Sequence, residues 1–111
     1  MWCLKGLQRS KPALRGEVAE LVIVRPVHFH PGRHEEAVAW ARETEPVRRQ
    51  YGLLHQWVLR GIVDSSDCQM IQVWESEEAY QRWRQSDDRV RLVKERTRFV
   101  SNDPTKRYRV L

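Results

Sequence analysis

The residues best suited to chemistry are one histidine, one arginine and a group of aromatic residues. Histidine is the usual general base at neutral pH because its ordinary pKa lies close to neutrality. Arginine can stabilise a developing anion, and aromatic rings stack on flat molecules and exclude water. The catalytic candidates are His55 as the base and Arg25 as the anion-stabilising group. The candidate walls of a binding pocket are the aromatic residues Trp57, Trp74, Tyr80 and Trp83.

Each of these candidates also has a structural interpretation. His55 lies in an apolar segment, where a histidine is often held in place without any catalytic role. Strand alternation places Arg25 among apolar side chains, so its charge needs a ligand or an acidic partner such as Glu43 or Glu75. The tryptophans are equally compatible with core packing. The sequence leaves these alternatives open.

A histidine-rich stretch, HFHPGRH at residues 28–34, raises the question of a metal site. His28 and His30 share one face of an extended chain because side chains alternate along it. With His34 they make three histidines in seven residues, but the sequence offers no fourth ligand or regular ligand spacing. We therefore predict no metal site and interpret the stretch as a polar loop.

The elements that must position these residues follow from hydrophobic periodicity. Runs rich in Val and Ile indicate strands, and apolar residues at three- and four-residue steps indicate helices. Ser76 and Ser86 are each followed by two acidic residues, as is typical of capped helix starts. The predicted strands span residues 18–29, 53–63, 68–75 and 105–111, and the predicted helices span residues 33–50, 77–85 and 87–98.

The order of these elements is β-α-β-β-α-β, with the second helix broken in two. This order predicts an α+β fold of the ferredoxin-like, split βαβ type, with an antiparallel sheet and helices on one face. Pro26 lacks an amide hydrogen, so its strand should be an edge or be interrupted there. Pro46 should kink or end its helix. The uncovered sheet face is apolar and predicts a homodimer packed through that face.

Length, charge and cysteine content narrow the class of protein. The 111 residues suggest one domain. Residues 1–16 carry four basic and no acidic side chains and are interpreted as a flexible basic extension. Residues 17–111 are nearly neutral, with 16 basic and 15 acidic side chains, which argues against nucleic-acid binding. Two cysteines and the lack of a long apolar run favour a cytoplasmic protein with no membrane partner.

The stretch VWESEEAYQRWRQSDD at residues 73–88 resembles the antibiotic biosynthesis monooxygenase family of dimeric α+β barrels. The segments HPGRHEEAVAWARETEPV, YGLLHQWVLR and YRVL extend the resemblance over about residues 18–111, within the predicted domain of residues 17–111. It implies a homodimer of ferredoxin-like subunits with a pocket between sheet and helices. It also implies oxidation of a small aromatic or quinol by O2 without a cofactor, that is, without metal or flavin.

Departures from the family pattern limit what the resemblance implies. The haem-degrading branch uses an Asn, a Trp and a His at positions that fall on Arg25, Trp83 and Val93 here, so only the Trp is retained. Haem degradation is therefore not favoured. Another histidine of many relatives is replaced by Arg89. The alternative to a monooxygenase is a homodimer of the same fold that binds a ligand or acts structurally, without catalysis.

Overall fold

The computed structural model describes residues 20–101 and 104–111. Seven elements follow one another in the order predicted, and the helices lie on one face of a four-stranded antiparallel sheet of order β2-β3-β1-β4. The strands are β1 (Leu21–Val27), β2 (Leu53–Arg60), β3 (Cys68–Trp74) and β4 (Lys106–Arg109). The helices are α1 (His34–Arg49), α2 (Glu77–Arg84) and α3 (Asp87–Arg96). The predicted ferredoxin-like α+β fold is confirmed.

Local sequence signals account for the breaks between these elements. The hydroxyl of Ser76 accepts a hydrogen bond from the amide of Ala79 at 3.0 Å, and that of Ser86 accepts one from the amide of Arg89 at 3.1 Å. These two caps divide the second helical region into α2 and α3. Gly52 takes a φ of 111°, a conformation that favours glycine, and so turns the chain from α1 into β2.

The two prolines behave differently from one another. At Pro26, β1 pairs only with β3, because β4 pairs with β1 no further than Val24. At Pro26 the strand is therefore an edge of the sheet, and no hydrogen bond to β4 is lost through the missing amide hydrogen, as predicted. Helix α1, in contrast, continues through Pro46 to Arg49.

The inner face of the sheet forms the core with the helices. Trp74 is fully buried at the end of β3, and its ring stacks on that of Trp83 from α2, with ring centroids 6.0 Å apart. Tyr80 packs edge-on against Trp74 at 5.3 Å. The aromatic residues of β3 and α2 therefore fasten the second helical region to the sheet.

The outer face of the sheet is apolar and carries no helix. Directly paired residues of neighbouring strands share a face, and the pairs Val22–Val73 and Val24–Ile71 mark this one. Trp57, opposite Ile71, is 47% exposed. We call this surface the outer face; it comprises Val22, Val24, His55, Trp57, Leu59, Ile71, Val73 and Tyr108.

The predicted basic extension, residues 1–16, lies outside the described residues. Among the helices that the structure does describe, none combines the length and apolarity needed to cross a bilayer.

Candidate functional site

A cleft opens between the inner face of the sheet, α1 and the end of α3. Its cavity volume is about 40 Å³, and the 440 Å³ of space between atoms around it includes open solvent at the mouth. The sheet contributes Arg25 and Met70 among others, and α3 contributes Arg96 at its last turn. Most of the remaining lining is apolar: Pro26, Val27, Phe29, Ala37, Val38, Trp40, Ala41, Val58, Phe99 and Val100, with Ser101 at the rim. An apolar cleft with a few polar groups is the usual form of a small-molecule site.

Arg25 supplies a positive charge to this cleft from the middle of β1. Opposite it in the sheet is Met70, and the strand places both side chains on the inner face. Within residues 20–101 and 104–111, no ion pair or hydrogen bond joins the Arg25 side chain to a carboxylate, including those of Glu43 and Glu75. Desolvation by burial, followed by repulsion from Arg96, lowers the pKa of Arg25 to about 10. The side chain therefore stays cationic at neutral pH.

A buried arginine, Arg48, lies behind the cleft wall. Its guanidinium carbon is 5.4 Å from the ring centroid of Trp40 and 6.0 Å from that of Trp83, so the cation is held between two aromatic faces. It donates a hydrogen bond to the carbonyl of Ala41 at 3.3 Å. Burial, with repulsion from Arg96, lowers the pKa of Arg48 to about 10 as well.

A chain of hydrogen bonds runs beneath α1 and connects the tryptophan pair to the cleft wall. The indole of Trp74 donates to Gln72 at 3.1 Å, and Gln72 donates to Gln56 at 2.8 Å. Gln56 then donates to the carbonyl of Ala41, which also accepts from Arg48. Because each buried polar group finds a partner, this chain fixes the relative position of sheet and helix.

The structure separates the predicted site residues into three groups. Arg25 lines the cleft. Trp74, Tyr80 and Trp83 lie together in the core beside it, and Tyr80 is close enough to Arg25 to act on its charge. The remaining two predicted residues, His55 and Trp57, are not brought to the cleft.

His55 and Trp57 lie instead on the outer face of the sheet. Their rings stack with centroids 5.4 Å apart, and His55 is opposite Val73 in the neighbouring strand. The strand register shifts between Leu53 and His55, so these two residues face opposite sides of the sheet although they are two positions apart. The role of base predicted for His55 thus stays a prediction, and it requires chemistry on the outer face.

Sequence reasoning missed the aromatic walls that the cleft does have. These are Phe29, Trp40 and Phe99, and the rings of Trp40 and Phe99 approach to 5.9 Å. The Trp40 indole donates to the Glu95 carboxylate at 2.8 Å, which ties α1 to α3 and lowers the pKa of Glu95. The apolar stripe of α1 predicts that Trp40 packs against the sheet, but nothing in the sequence predicts that a cleft remains between α1 and the end of α3.

The histidine-rich stretch at residues 28–34 forms the connection from β1 to α1. His28 and His30 are exposed, and the ring of His34 meets that of Phe29 edge-on at 6.2 Å. In the part of the chain that the structure describes, no group of three or more His, Cys, Asp or Glu side chains is placed to hold a metal ion.

The lining of the cleft is chemically compatible with a flat apolar ring that carries negative charge. Aromatic and aliphatic walls favour an apolar ring, and the desolvated guanidinium of Arg25 interacts strongly with an anion because the surroundings are poorly polarisable. Among the described lining residues there is no histidine or carboxylate. Proton removal at this site would therefore depend on the cations lowering the pKa of a bound hydroxyl.

Fold and cleft together define a ferredoxin-like α+β domain with a cationic pocket between sheet and helices. Residues 21–95 match the family described as antibiotic biosynthesis monooxygenase. The chain belongs to this family, so the resemblance seen in the sequence is confirmed. None of the curated proteins matches the chain in sequence.

Solved structures share the fold at low sequence identity. SnoaB, a cofactor-independent oxygenase from Streptomyces nogalater, is 15% identical with a TM-score of 0.71, covering 84% of this chain and 94% of that one. A candidate antibiotic biosynthesis monooxygenase from Bordetella bronchiseptica is 17% identical with a TM-score of 0.72, covering 84% and 98%. A conserved protein from Methanosarcina mazei is 14% identical with a TM-score of 0.68, covering 82% and 92%. Likeness at these identities concerns the fold alone.

Proposed function

We propose that this protein is a cofactor-independent monooxygenase that oxidises a small hydroxylated aromatic or quinol with O2. The observation that carries the proposal is Arg25, a desolvated cation without a carboxylate partner among the described residues, in an apolar cleft. Membership of the monooxygenase family and the similar fold of SnoaB, a cofactor-independent oxygenase, support it.

The reaction balances without any cofactor. When an anthrone methylene becomes a carbonyl, the substrate loses four electrons, and one O2 accepts them. One oxygen atom enters the product and the other leaves as water with the two hydrogens of the methylene. The protein needs to favour the substrate anion, which gives an electron to O2 more readily than the neutral molecule does. Arg25 supplies this stabilisation, and Trp40 and Phe99 hold the ring.

The alternative is a homodimer that binds a ligand or acts structurally, without catalysis. One observation favours it: the described lining of the cleft contains no histidine or carboxylate, and His55 lies on the outer face. A cleft without a base would bind a ligand without driving its oxidation.

The proposed partner is a second copy of the chain, docked through the outer face. An apolar surface of this kind is typical of a subunit interface, and Trp57 and Leu59 expose about half of their surface on it. A dimer should have twice the 13.3 kDa mass of the chain. Trp57→Glu should give monomers in analytical ultracentrifugation, whereas Val90→Glu, on exposed helix surface, should not. Dimers of unchanged affinity in Trp57→Glu would contradict this interface.

The expected compartment is the cytoplasm. The thiol of Cys68 is free and buried within β3, which is compatible with a reducing environment.

Oxygen uptake tests the proposed activity. Metal-stripped protein is mixed with a panel of anthrones and naphthoquinols, and uptake is compared between wild type, Arg25→Met and Arg82→Met. Arg82 is exposed on α2, so its variant controls for the loss of one positive charge. We expect uptake above the uncatalysed rate in wild type and Arg82→Met, and a loss of about tenfold to a hundredfold in Arg25→Met. Equal rates with and without protein across the panel would favour the alternative without catalysis.

A further inference from the structure

The cleft in its present form is too small for the ring that the proposed function gives it. Its cavity volume is about 40 Å³, whereas an engineered apolar cavity of about 150 Å³ holds a single benzene molecule. An aromatic with two fused rings is larger again. Because protein interiors are close-packed and resist compression, part of the wall has to leave its place before such a ring can enter.

Much of the wall is fixed by the backbone. Val58 and Met70 are directly paired residues of two neighbouring strands. The segment that follows α3 is joined to the connection between β1 and α1, because the amide of His30 donates to the carbonyl of Phe99 at 2.8 Å. Moving either part of the wall would break main-chain hydrogen bonds, which are unfavourable to lose in a buried position.

Trp40, in contrast, can move by side-chain rotation alone. It lies on α1, is only partly buried and crosses the gap to α3, where its indole N–H donates to the carboxylate of Glu95 at 2.8 Å. It also contacts the ring of Phe99, with centroids 5.9 Å apart, and the guanidinium of Arg48 at 5.4 Å. The backbone hydrogen bonds of α1 do not depend on where this side chain points.

The groups that the Trp40 indole would leave keep other partners. Glu95 is partly exposed to solvent and also accepts a hydrogen bond from Arg91 at 3.4 Å. Arg48 still faces the ring of Trp83, whose centroid is 6.0 Å from the guanidinium carbon. Because neither group loses its last partner, opening the wall costs little more than the bond to Glu95 and the ring contacts of the indole.

We propose that Trp40 is the gate of the cleft and that its hydrogen bond to Glu95 is the latch that keeps the gate closed. In the open state the indole leaves the wall and vacates the space of a fused two-ring aromatic. A ring of about naphthalene size then fits between Phe99 and the sheet, and the indole covers it from the mouth. The inference rests on the proposed function only in taking an aromatic ligand for the cleft.

Calorimetric titration with 2-naphthol under argon tests the latch without any dependence on oxidation. Since only the open state binds, the open fraction sets the observed affinity, and a variant that opens more readily should bind more tightly. Glu95→Ala removes the acceptor and should lower the dissociation constant about fivefold to tenfold. Glu95→Gln keeps a neutral acceptor and should fall between Glu95→Ala and wild type. A purely structural hydrogen bond predicts the opposite sign, because its loss would loosen the wall and weaken binding.

Glu43→Ala is the matched control, since Glu43 is an exposed glutamate on the same helix as Trp40 and its removal changes the charge equally. It should bind 2-naphthol as wild type does, and thermal melts show whether each variant is folded.

Fluorine NMR of protein labelled with 5-fluorotryptophan follows the gate itself. The resonance that disappears in Trp40→Phe belongs to Trp40. We expect 2-naphthol to shift this resonance, and relaxation dispersion of the free protein to show exchange at Trp40 on the microsecond to millisecond timescale. The open population should be larger in Glu95→Ala than in wild type.

Four results would overturn the gate: equal or weaker binding in folded Glu95→Ala, an equal gain in Glu43→Ala, no binding to either wild type or Glu95→Ala, or a Trp40 resonance that 2-naphthol leaves unmoved. Tighter binding in Glu95→Ala without oxygen uptake by wild type would reject only the monooxygenase. Oxygen uptake by wild type with unchanged affinity in Glu95→Ala would reject only the gate.

Discussion

Replacing Arg25 by methionine should make the protein more stable. Methionine has a similar length and an unbranched, apolar side chain, so it can fill the same space on the inner face next to Met70. The arginine makes no ion pair or hydrogen bond to a carboxylate among the described residues. Little favourable interaction is therefore lost, whereas an unfavourable buried charge is removed.

The lowered pKa sets the size of the effect. Folding lowers the pKa of Arg25 from its ordinary value to about 10, mainly through desolvation. Since each pKa unit corresponds to about 1.4 kcal/mol, this lowering means that the folded state disfavours the charge by at most about 3–4 kcal/mol. Arg25 keeps some contact with solvent, so we expect a gain of about 1–2 kcal/mol in the free energy of unfolding, in line with other replacements of buried charges. Because the pKa of this basic group is lower in the folded state, its charge destabilises the fold at all pH values below about 10. This destabilisation is relieved as the pH rises through that value.

Urea unfolding and thermal melts at pH 7 measure this gain, which should raise the melting temperature by about 5–10 °C. Arg82→Met, on the exposed surface of α2, should stay within about 0.5 kcal/mol of wild type. A loss of more than about 1 kcal/mol in Arg25→Met would refute the reasoning, because it would mean that Arg25 has a structural acidic partner. A gain in stability together with lost ligand binding is the pattern expected of a functional residue.

Three further substitutions test the fold that supports the site. Gly52→Ala should lower the free energy of unfolding, measured in urea, by about 2 kcal/mol or more. The reason is that φ is 111° and the new Cβ would lie 2.9 Å from that of Ala79. Stability equal to that of wild type would contradict the turn at Gly52. Ser76→Ala should destabilise by about 1 kcal/mol through loss of the cap on α2, again by urea unfolding. Trp83→Leu should lower the free energy of unfolding by about 3 kcal/mol, since Trp83 packs on both Trp74 and Arg48. It should also weaken the near-ultraviolet circular dichroism of the stacked indoles, and an unchanged spectrum would count against the stacking.

The fold could be predicted because each element carries its own local signal. The serine caps separated α2 from α3, and the paired strands 53–63 and 68–75 predicted a hairpin whose strands end near the observed Arg60 and Trp74. Element ends were less accurate: the first strand spans Leu21–Val27, not residues 18–29. Pairing ends at Val27 because the chain turns into the histidine-rich connection, where Phe29 makes only an isolated bridge to Val100.

The site was predicted only in part, because a cleft depends on contacts between distant segments. Arg25 was identifiable as a charge on an apolar strand face. Arg48 looked like an ordinary basic residue at a helix end, yet it lies buried between Trp40 and Trp83, which a single helix pattern cannot indicate. The face taken by His55 depends on the register irregularity after Leu53, and irregularities of this kind leave no clear mark in the sequence.

The central claim is that the arginine-lined cleft lets O2 oxidise a bound aromatic anion with no cofactor. Its most direct test is a reaction under heavy-isotope O2 with metal-stripped protein and the anthrone or naphthoquinol that gives the fastest uptake, followed by mass analysis of the product. The account predicts one labelled oxygen atom in each product molecule, formed by wild type and not by Arg25→Met. Unlabelled product, or labelled product formed equally fast without the protein, would contradict it.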